Sequence, residues 1–140
     1  QAGAIMILHY HSFLSAAMPR VTRQSNAIRR VFEHSDRPLL AQEVLDAAQQ
    51  EVPQLGLATV YRNLRQLVDD RQLKVVTLPG ENPRYEAADH PHHHHFFCRQ
   101  CQKVFDIHGC PGALKQLLPA GFSIDGHDLT LYGCCRDCQP

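Results

Sequence analysis

Apolar residues recur at helical spacing in three stretches of the first half of the chain. Ala27, Ile28, Val31 and Phe32 form one face of a helix over 22–34, which the turn Asp36-Arg37-Pro38 ends. Val44, Leu45 and Ala48 face inward on a second helix over about 41–50, and Pro53 and Gly56 then break the chain. A third helix starts near Ala58 and buries Val60, Leu64, Leu67 and Val68. Its opposite face shows Thr59, Arg62, Asn63 and Gln66, flanked by Tyr61 and Arg65, with no acidic residue. The period then shortens to two. Residues 72–78 read as a strand, Pro79-Gly80 as a turn and 84–87 as the return strand. Three helices followed by a hairpin predict a winged helix-turn-helix over 18–87, with the third helix suited to a DNA major groove.

The pattern changes at Ala88-Asp89-His90-Pro91, read as a hinge over 88–91. Beyond it, 93–97 predicts a strand and 103–107 its partner. Pro111 is placed to open a helix through Leu118. Residues 123–132 predict a strand that delivers the last cysteines. The expected class is therefore α+β: a winged-helix domain, then a small α/β domain over 92–140 with a strand face free to pair with a second copy. Met18 reads as a natural start, which makes 1–17 an upstream extension to which no function is assigned.

Cysteine and histidine usage adds chemistry to this outline. Cys98/Cys101 and Cys135/Cys138 are two Cys-x-x-Cys pairs at either end of the second half, and His92-His93-His94-His95 runs directly into the first pair. Two such pairs offer the four thiolates of a closed tetrahedral zinc site. On a strand, His93 and His95 point to one face and His92 and His94 to the other, so one run can serve two ions. Six cysteines also permit three disulfides in a secreted protein. The x-x spacing, the adjacent histidines and the lack of a credible signal peptide favour reduced thiols in a cytoplasm. No stretch is long and apolar enough to predict a membrane span. At 140 residues with a formal net charge of zero, the chain has no global field to attract nucleic acid. The arginines Arg20, Arg23, Arg29 and Arg30, with no acid among them, still form a local basic arm.

In order along the chain stand Gly56-Leu57-Ala58-Thr59-Val60-Tyr61-Arg62-Asn63-Leu64, then Arg84-Tyr85-Glu86, then the histidine run into Cys98-Arg99-Gln100-Cys101. Leu131-Tyr132-Gly133-Cys134-Cys135-Arg136-Asp137-Cys138 follows. This series resembles the Fur family of bacterial metal-dependent transcriptional repressors, which includes iron, zinc and peroxide sensors. The resemblance runs from about Met18 to Cys138. It implies a DNA-binding N-terminal half, a dimerising C-terminal half and structural zinc on Cys98, Cys101, Cys135 and Cys138. It implies a regulatory ion between the halves on Glu86, His93, His95 and Asp106, and a third site on His92, His94 and His127. It further implies a homodimer that binds an inverted repeat in double-stranded DNA.

The sequence departs from the family pattern in two places. Many members supply a histidine at the start of the second helix, where this chain has Arg37-Pro38, and His34 on the first helix is a poor substitute. The usual glutamate of the third site falls near Ala113, which cannot coordinate. The regulatory set is then two nitrogens and two oxygens, which leans toward zinc over iron or manganese, whereas an aspartate at 106 resembles the iron-using peroxide sensors. Cys134 has the wrong spacing to join the zinc set, and Cys110 is expected to pack rather than ligate. On DNA, Tyr61 and Arg62 are the expected base contacts. Thr59 and Arg65 are assigned to phosphate, as are Arg20 and Arg23 from the arm. The rival for Tyr61 is packing between helices. The rival functions are a zinc enzyme, disfavoured because no HExxH or deaminase pattern occurs, and a histidine-rich metal store or chaperone, which the Thr59-Val60-Tyr61-Arg62 helix opposes.

Overall fold

The computed structural model describes residues 22–139. The extension 1–17 and Arg20 lie outside the described residues. Helix α1, Arg23–Glu33, begins where the Thr22 side chain accepts a bond from the Ser25 N–H at 3.2 Å. A two-residue strand β1, Leu39–Leu40, leads into α2, Ala41–Ala48. Glu43 reaches back from the first turn of α2 to accept from the Leu40 N–H at 2.9 Å, and Arg37 donates to the same carboxylate at 2.6 Å. Burial pushes the Glu43 carboxyl up, but these bonds outweigh it and hold the group below its usual range. Helix α3, Leu57–Asp69, follows.

The three helices pack through Ile28, Phe32, Val44, Leu45, Val60, Leu64 and Leu67, all buried, so the helical face read from the sequence is the face that packs. Val68 is only partly buried at its edge. Strands β2, Leu73–Val76, and β3, Arg84–Ala87, form a hairpin in which Val75 pairs with Tyr85. Its turn has Pro79 followed by Gly80 at φ 77°, and the Glu81 N–H closes on the Leu78 carbonyl at 3.1 Å. That positive φ is the reason glycine stands there. β1 joins the other edge of β3, giving an antiparallel sheet of order β1-β3-β2. A two-residue strand carries no alternation to read, so β1 leaves no mark on the residue pattern.

The second sheet is built from β4, His94–Cys98, β5, Val104–Ile107, and β6, Thr130–Gly133. β4 is central, antiparallel to β5 and parallel to β6. Two expectations fail here. The stretch after Pro111 forms only a 3-10 turn, Leu114–Leu117, because Pro111-Gly112 and Pro119 leave too few residues for an α-helix and none of its side chains is buried. The strand expected over 123–132 pairs only at Thr130–Gly133, alongside the part of β4 that begins at His95.

Val76 and Leu78 of the hairpin pack on Phe97 and Val104 of the second sheet in a small buried cluster. Arg84, 1 % exposed, lies beside it. Its guanidinium donates to the Gln102 carbonyl at 2.8 Å and sits 5.4 Å from the centre of the Phe97 ring. These contacts hold the start of β3 against the end of β4, and the candidate ligands gather toward the opposite ends of the two strands.

Candidate metal centres

Three groups of metal-ligating side chains converge, and in each the ligand atoms all lie within 4.8 Å of one another. The first is Cys98, Cys101, Cys135 and Cys138. Gln102, in left-handed backbone at φ 59°, turns the first knuckle, and its N–H returns to the Cys98 carbonyl at 2.8 Å. The second knuckle is the 3-10 turn Arg136–Cys138, and the parallel pairing of β4 with β6 brings the two together. The Cys135 N–H donates to the Cys98 sulfur at 3.3 Å. The Cys101 and Cys135 sulfurs are 3.8 Å apart. A tetrahedron with zinc–sulfur bonds of about 2.3 Å has an edge of about that length. Backbone N–H groups of Cys101 and Cys135 lower the Cys98 thiol to about 6. The neighbouring Cys135 sulfur, followed by burial, pushes Cys138 up to about 12. The set therefore accepts its first negative charge readily and resists the last, which only a cation overcomes. Cys134 is exposed and lies outside the set.

The second group is Glu86, His93, His95 and Asp106. Glu86 comes from β3, His93 from the approach to β4, His95 from β4 and Asp106 from β5, where it pairs with His95. The His93 Nδ1 hydrogen donates to the Pro91 carbonyl at 2.7 Å, which leaves the Nε2 lone pair facing the Glu86 carboxylate at 3.2 Å. Two acceptors in that position call for a proton or a metal ion between them. His95 Nε2 and both Asp106 carboxylate oxygens are buried without a hydrogen-bond partner, so these donors fit a cation. Burial pushes Glu86 up, but the neighbouring His95, Lys74 and His93 side chains favour its ionised form, outweigh burial and bring the carboxyl to about 2. Burial and then the Glu86 charge push Asp106 the other way, above its usual range. Lys74 Nζ lies 3.1 Å from Glu86 and His90 Nδ1 3.5 Å from Asp106. The sequence did not single out either neighbour, since each is placed only by sheet pairing and the path of segment 88–91.

His34 does not join this group. It is exposed at the C-terminal cap of α1, with its Nδ1 against the Arg30 carbonyl at 2.8 Å. Arg37 is occupied by Glu43, and Pro38 is buried.

The third group holds His92, His94 and His127 as expected, together with Cys110. The expectation that Cys110 packs is overturned. The residue is exposed, and its sulfur lies 2.9 Å from His127 Nε2. It sits three residues before Ala113, the position of the family's usual glutamate, and only the path of the loop after β5 brings it to the histidines.

On α3, Tyr61 is 49 % exposed and Arg62 and Arg65 are exposed, which removes the reading of Tyr61 as a packing residue. The Thr59 hydroxyl accepts from Arg62 at 3.3 Å. Arg23 begins α1 rather than extending as an arm, and donates to the Glu51 carbonyl at 3.0 Å. The neighbouring Arg30 pairs with the Glu51 carboxylate.

The chain matches the Ferric uptake regulator family over residues 17–132. It is 29 % identical to the ferric uptake regulation protein of Campylobacter jejuni, across 96 % of this chain and 89 % of that one. It is 31 % identical to the peroxide-responsive repressor PerR of Staphylococcus saprophyticus, across 86 % and 82 %. The structure of the ferric uptake regulator of Francisella tularensis with iron superposes with a TM-score of 0.67 at 28 % identity, over 85 % of this chain and 93 % of that one. A zinc-bound manganese uptake regulator shares the fold, with a TM-score of 0.72 at 23 % identity over 83 % and 90 %. Match length, identity and fold agree that the chain belongs to the Ferric uptake regulator family, whose members are metal-responsive transcription regulators.

Proposed function

We propose that the chain is a cytoplasmic, homodimeric repressor whose grip on DNA depends on a divalent ion held by Glu86, His93, His95 and Asp106. The observation that carries this reading is the origin of those ligands: Glu86 belongs to the first sheet, Asp106 and His95 to the second, and His93 to the approach. A cation bonded to both sheets favours the arrangement that keeps them at this spacing over every other arrangement, which is what a metal-gated switch requires. In this proposal residues 18–87 form a winged helix-turn-helix, 88–91 a hinge and 92–140 the dimerisation domain. Zinc on Cys98, Cys101, Cys135 and Cys138 fastens the last of these.

The exposed apolar side chains Leu117, Phe122, Leu131 and Tyr132 in the second half support self-association, since a monomer leaves them in water. A two-fold dimer presents two copies of α3 to an inverted repeat, with Tyr61 and Arg62 toward base edges. Thr59, Arg65, Arg20 and Arg23 are assigned to the backbone. Two imidazoles and two carboxylates support zinc over Fe2+ or Mn2+ as the sensed ion. A second reading, iron with peroxide sensing, is favoured by Asp106, whose unpartnered oxygens give the harder donor that iron takes.

The test is operator binding on an inverted repeat with graded free Zn2+, Fe2+ or Mn2+, before and after hydrogen peroxide. Zinc-dependent, peroxide-indifferent binding is expected. Binding that ignores all three ions removes the switch. Binding that needs iron and is lost with peroxide selects the second reading.

A further inference from the structure

We propose that the Lys74 ammonium is a built-in competitor of the sensed ion: it occupies Glu86 in the metal-free protein and so raises the free-metal concentration at which the group Glu86, His93, His95 and Asp106 fills. This rests on the reading of that group as the regulatory site and adds what sets its threshold.

Strand parity puts the lysine there. Leu73 of β2 belongs to the core of the helices, whereas Val76 packs on Phe97 and Val104 of the second sheet. Lys74 shares the face of Val76 and points toward the second sheet. Its cross-strand partner is Glu86, just as Arg84 is that of Val76. Lys74 Nζ lies 3.1 Å from Glu86 Oε1, while His93 Nε2 faces the other oxygen at 3.2 Å. Among the described residues, Lys74 is the one lysine or arginine within 4.0 Å of either carboxylate of the group. The two ends of the pair differ in surroundings: the Glu86 side chain is 1 % exposed and that of Lys74 41 %. A cavity of about 340 Å3, lined by Lys74, Glu86, His93, His95, Asp128 and Thr130 among others, runs from the ligand group past the ammonium. The flexible stem of the lysine therefore has room to withdraw when an ion arrives.

Charge decides the sign of the effect. With an ion bound, Glu86 and Asp106 contribute two negative charges, which a divalent cation balances. Lys74 is then surplus, because its attraction to the carboxylates is offset by repulsion from the ion. In the empty group the attraction is unopposed. The stability that the pair gives the empty group is lost on loading, and the affinity for the ion is lower by the same amount. The other close neighbours of Glu86 are imidazoles that become ligands, so Lys74 alone has to yield rather than join.

The test uses the whole protein with its cysteine set filled with zinc. Occupancy of the interdomain group is read as the equivalent that Glu86→Gln removes. Competition against a metal-buffering chelator gives its affinity for Zn2+ and for Co2+. Lys74→Met is expected to tighten both by the same factor of about tenfold, between the small worth of an exposed ion pair and the larger worth of a buried one. Lys74→Arg keeps the charge and is expected to stay close to the parent. Thermal melts give a second readout: Lys74→Met should lower the melting temperature while the group is empty and leave the loaded protein unchanged, whereas a purely structural contact would lower both. Affinity that is unchanged or weakened by Lys74→Met overturns the proposal. A gain confined to one ion also overturns it, since that traces to ligand geometry rather than charge. If Glu86→Gln removes no equivalent, the regulatory reading itself falls and this proposal with it; an equivalent that is present but indifferent to Lys74→Met overturns this proposal alone.

Discussion

The Arg84 guanidinium on β3 donates to the carbonyl of Gln102 at 2.8 Å, so a side chain of the hairpin satisfies the backbone of the first cysteine knuckle. Arg84 is almost fully buried, and its other polar neighbours are the Asn82 carbonyl at 3.3 Å and Glu81 at 3.7 Å. Replacing it with Met keeps most of the volume and leaves the Gln102 carbonyl without its donor. Arg84→Met is expected to cost about 2 kcal/mol in urea unfolding of the zinc-loaded protein. Unchanged stability would mean that water replaces the guanidinium there without cost.

The proposed switch predicts that Glu86→Ala and His93→Ala abolish metal-dependent operator binding while the cysteine set keeps its zinc. Each change removes one bond from the proposed ion to the interdomain group without touching the knuckles. His34→Ala is expected to leave the metal response intact, because His34 faces solvent and the Arg30 carbonyl rather than the ligand group. Zinc content and fluorescence anisotropy on labelled operator, measured on the same samples, check all three.

Asp106 and Glu86 oppose each other in the metal-free protein. Glu86 is held down to about 2, so its ionised form stabilises the fold above the ordinary carboxylate range, and this is lost only as pH falls toward that value. Asp106 is held above its usual range, so its ionised form costs stability at neutral pH, a cost that disappears as pH falls and the carboxyl is protonated in both states. Metal-free Asp106→Asn is therefore expected to be more stable than the parent at pH 7, by on the order of 1 kcal/mol, with the difference shrinking toward acid pH. Thermal melts in chelator across pH check the sign. The same variant should respond poorly to metal.

Zinc uptake by the cysteine set must displace protons, because Cys138 is held up to about 12 until a cation arrives. Apparent zinc affinity at this set is expected to fall steeply as pH drops, and chelation at mildly acid pH should strip it fastest. The readout is zinc release followed by a colorimetric chelator, alongside sedimentation. Zinc loss is expected to reduce dimer content, since the set joins the end of β4 to the end of β6.

On α3, Arg62→Ala is expected to weaken operator binding by about 1–3 kcal/mol and relax preference at one base pair. Arg65→Ala should weaken binding to all sequences alike and lower its salt dependence. Competition titrations at two salt concentrations separate these outcomes.

Much of this architecture was readable in advance because it rests on short-range periodicity. Ile28, Val44, Leu64 and their neighbours announce their faces within single helices, and the strand parity of His92 to His95 already divides the run between two groups. What could not be read depends on the path of irregular chain. β1 is too short to alternate. The loop between β5 and β6 lacks buried residues, so neither its supposed helix nor its supposed long strand had a face to declare it. Cys110 reaches the histidines only through that loop, and Lys74 and His90 reach their carboxylates only through sheet pairing and the path of segment 88–91.

Alternating histidines on one strand also place the two groups on opposite sides of a single backbone. On the proposed reading, a cation at one group orders the shared stretch of chain and so lowers the ordering cost of binding at the other. By reciprocity that coupling acts equally in both directions, so on this reading a few residues of extended chain link the two groups.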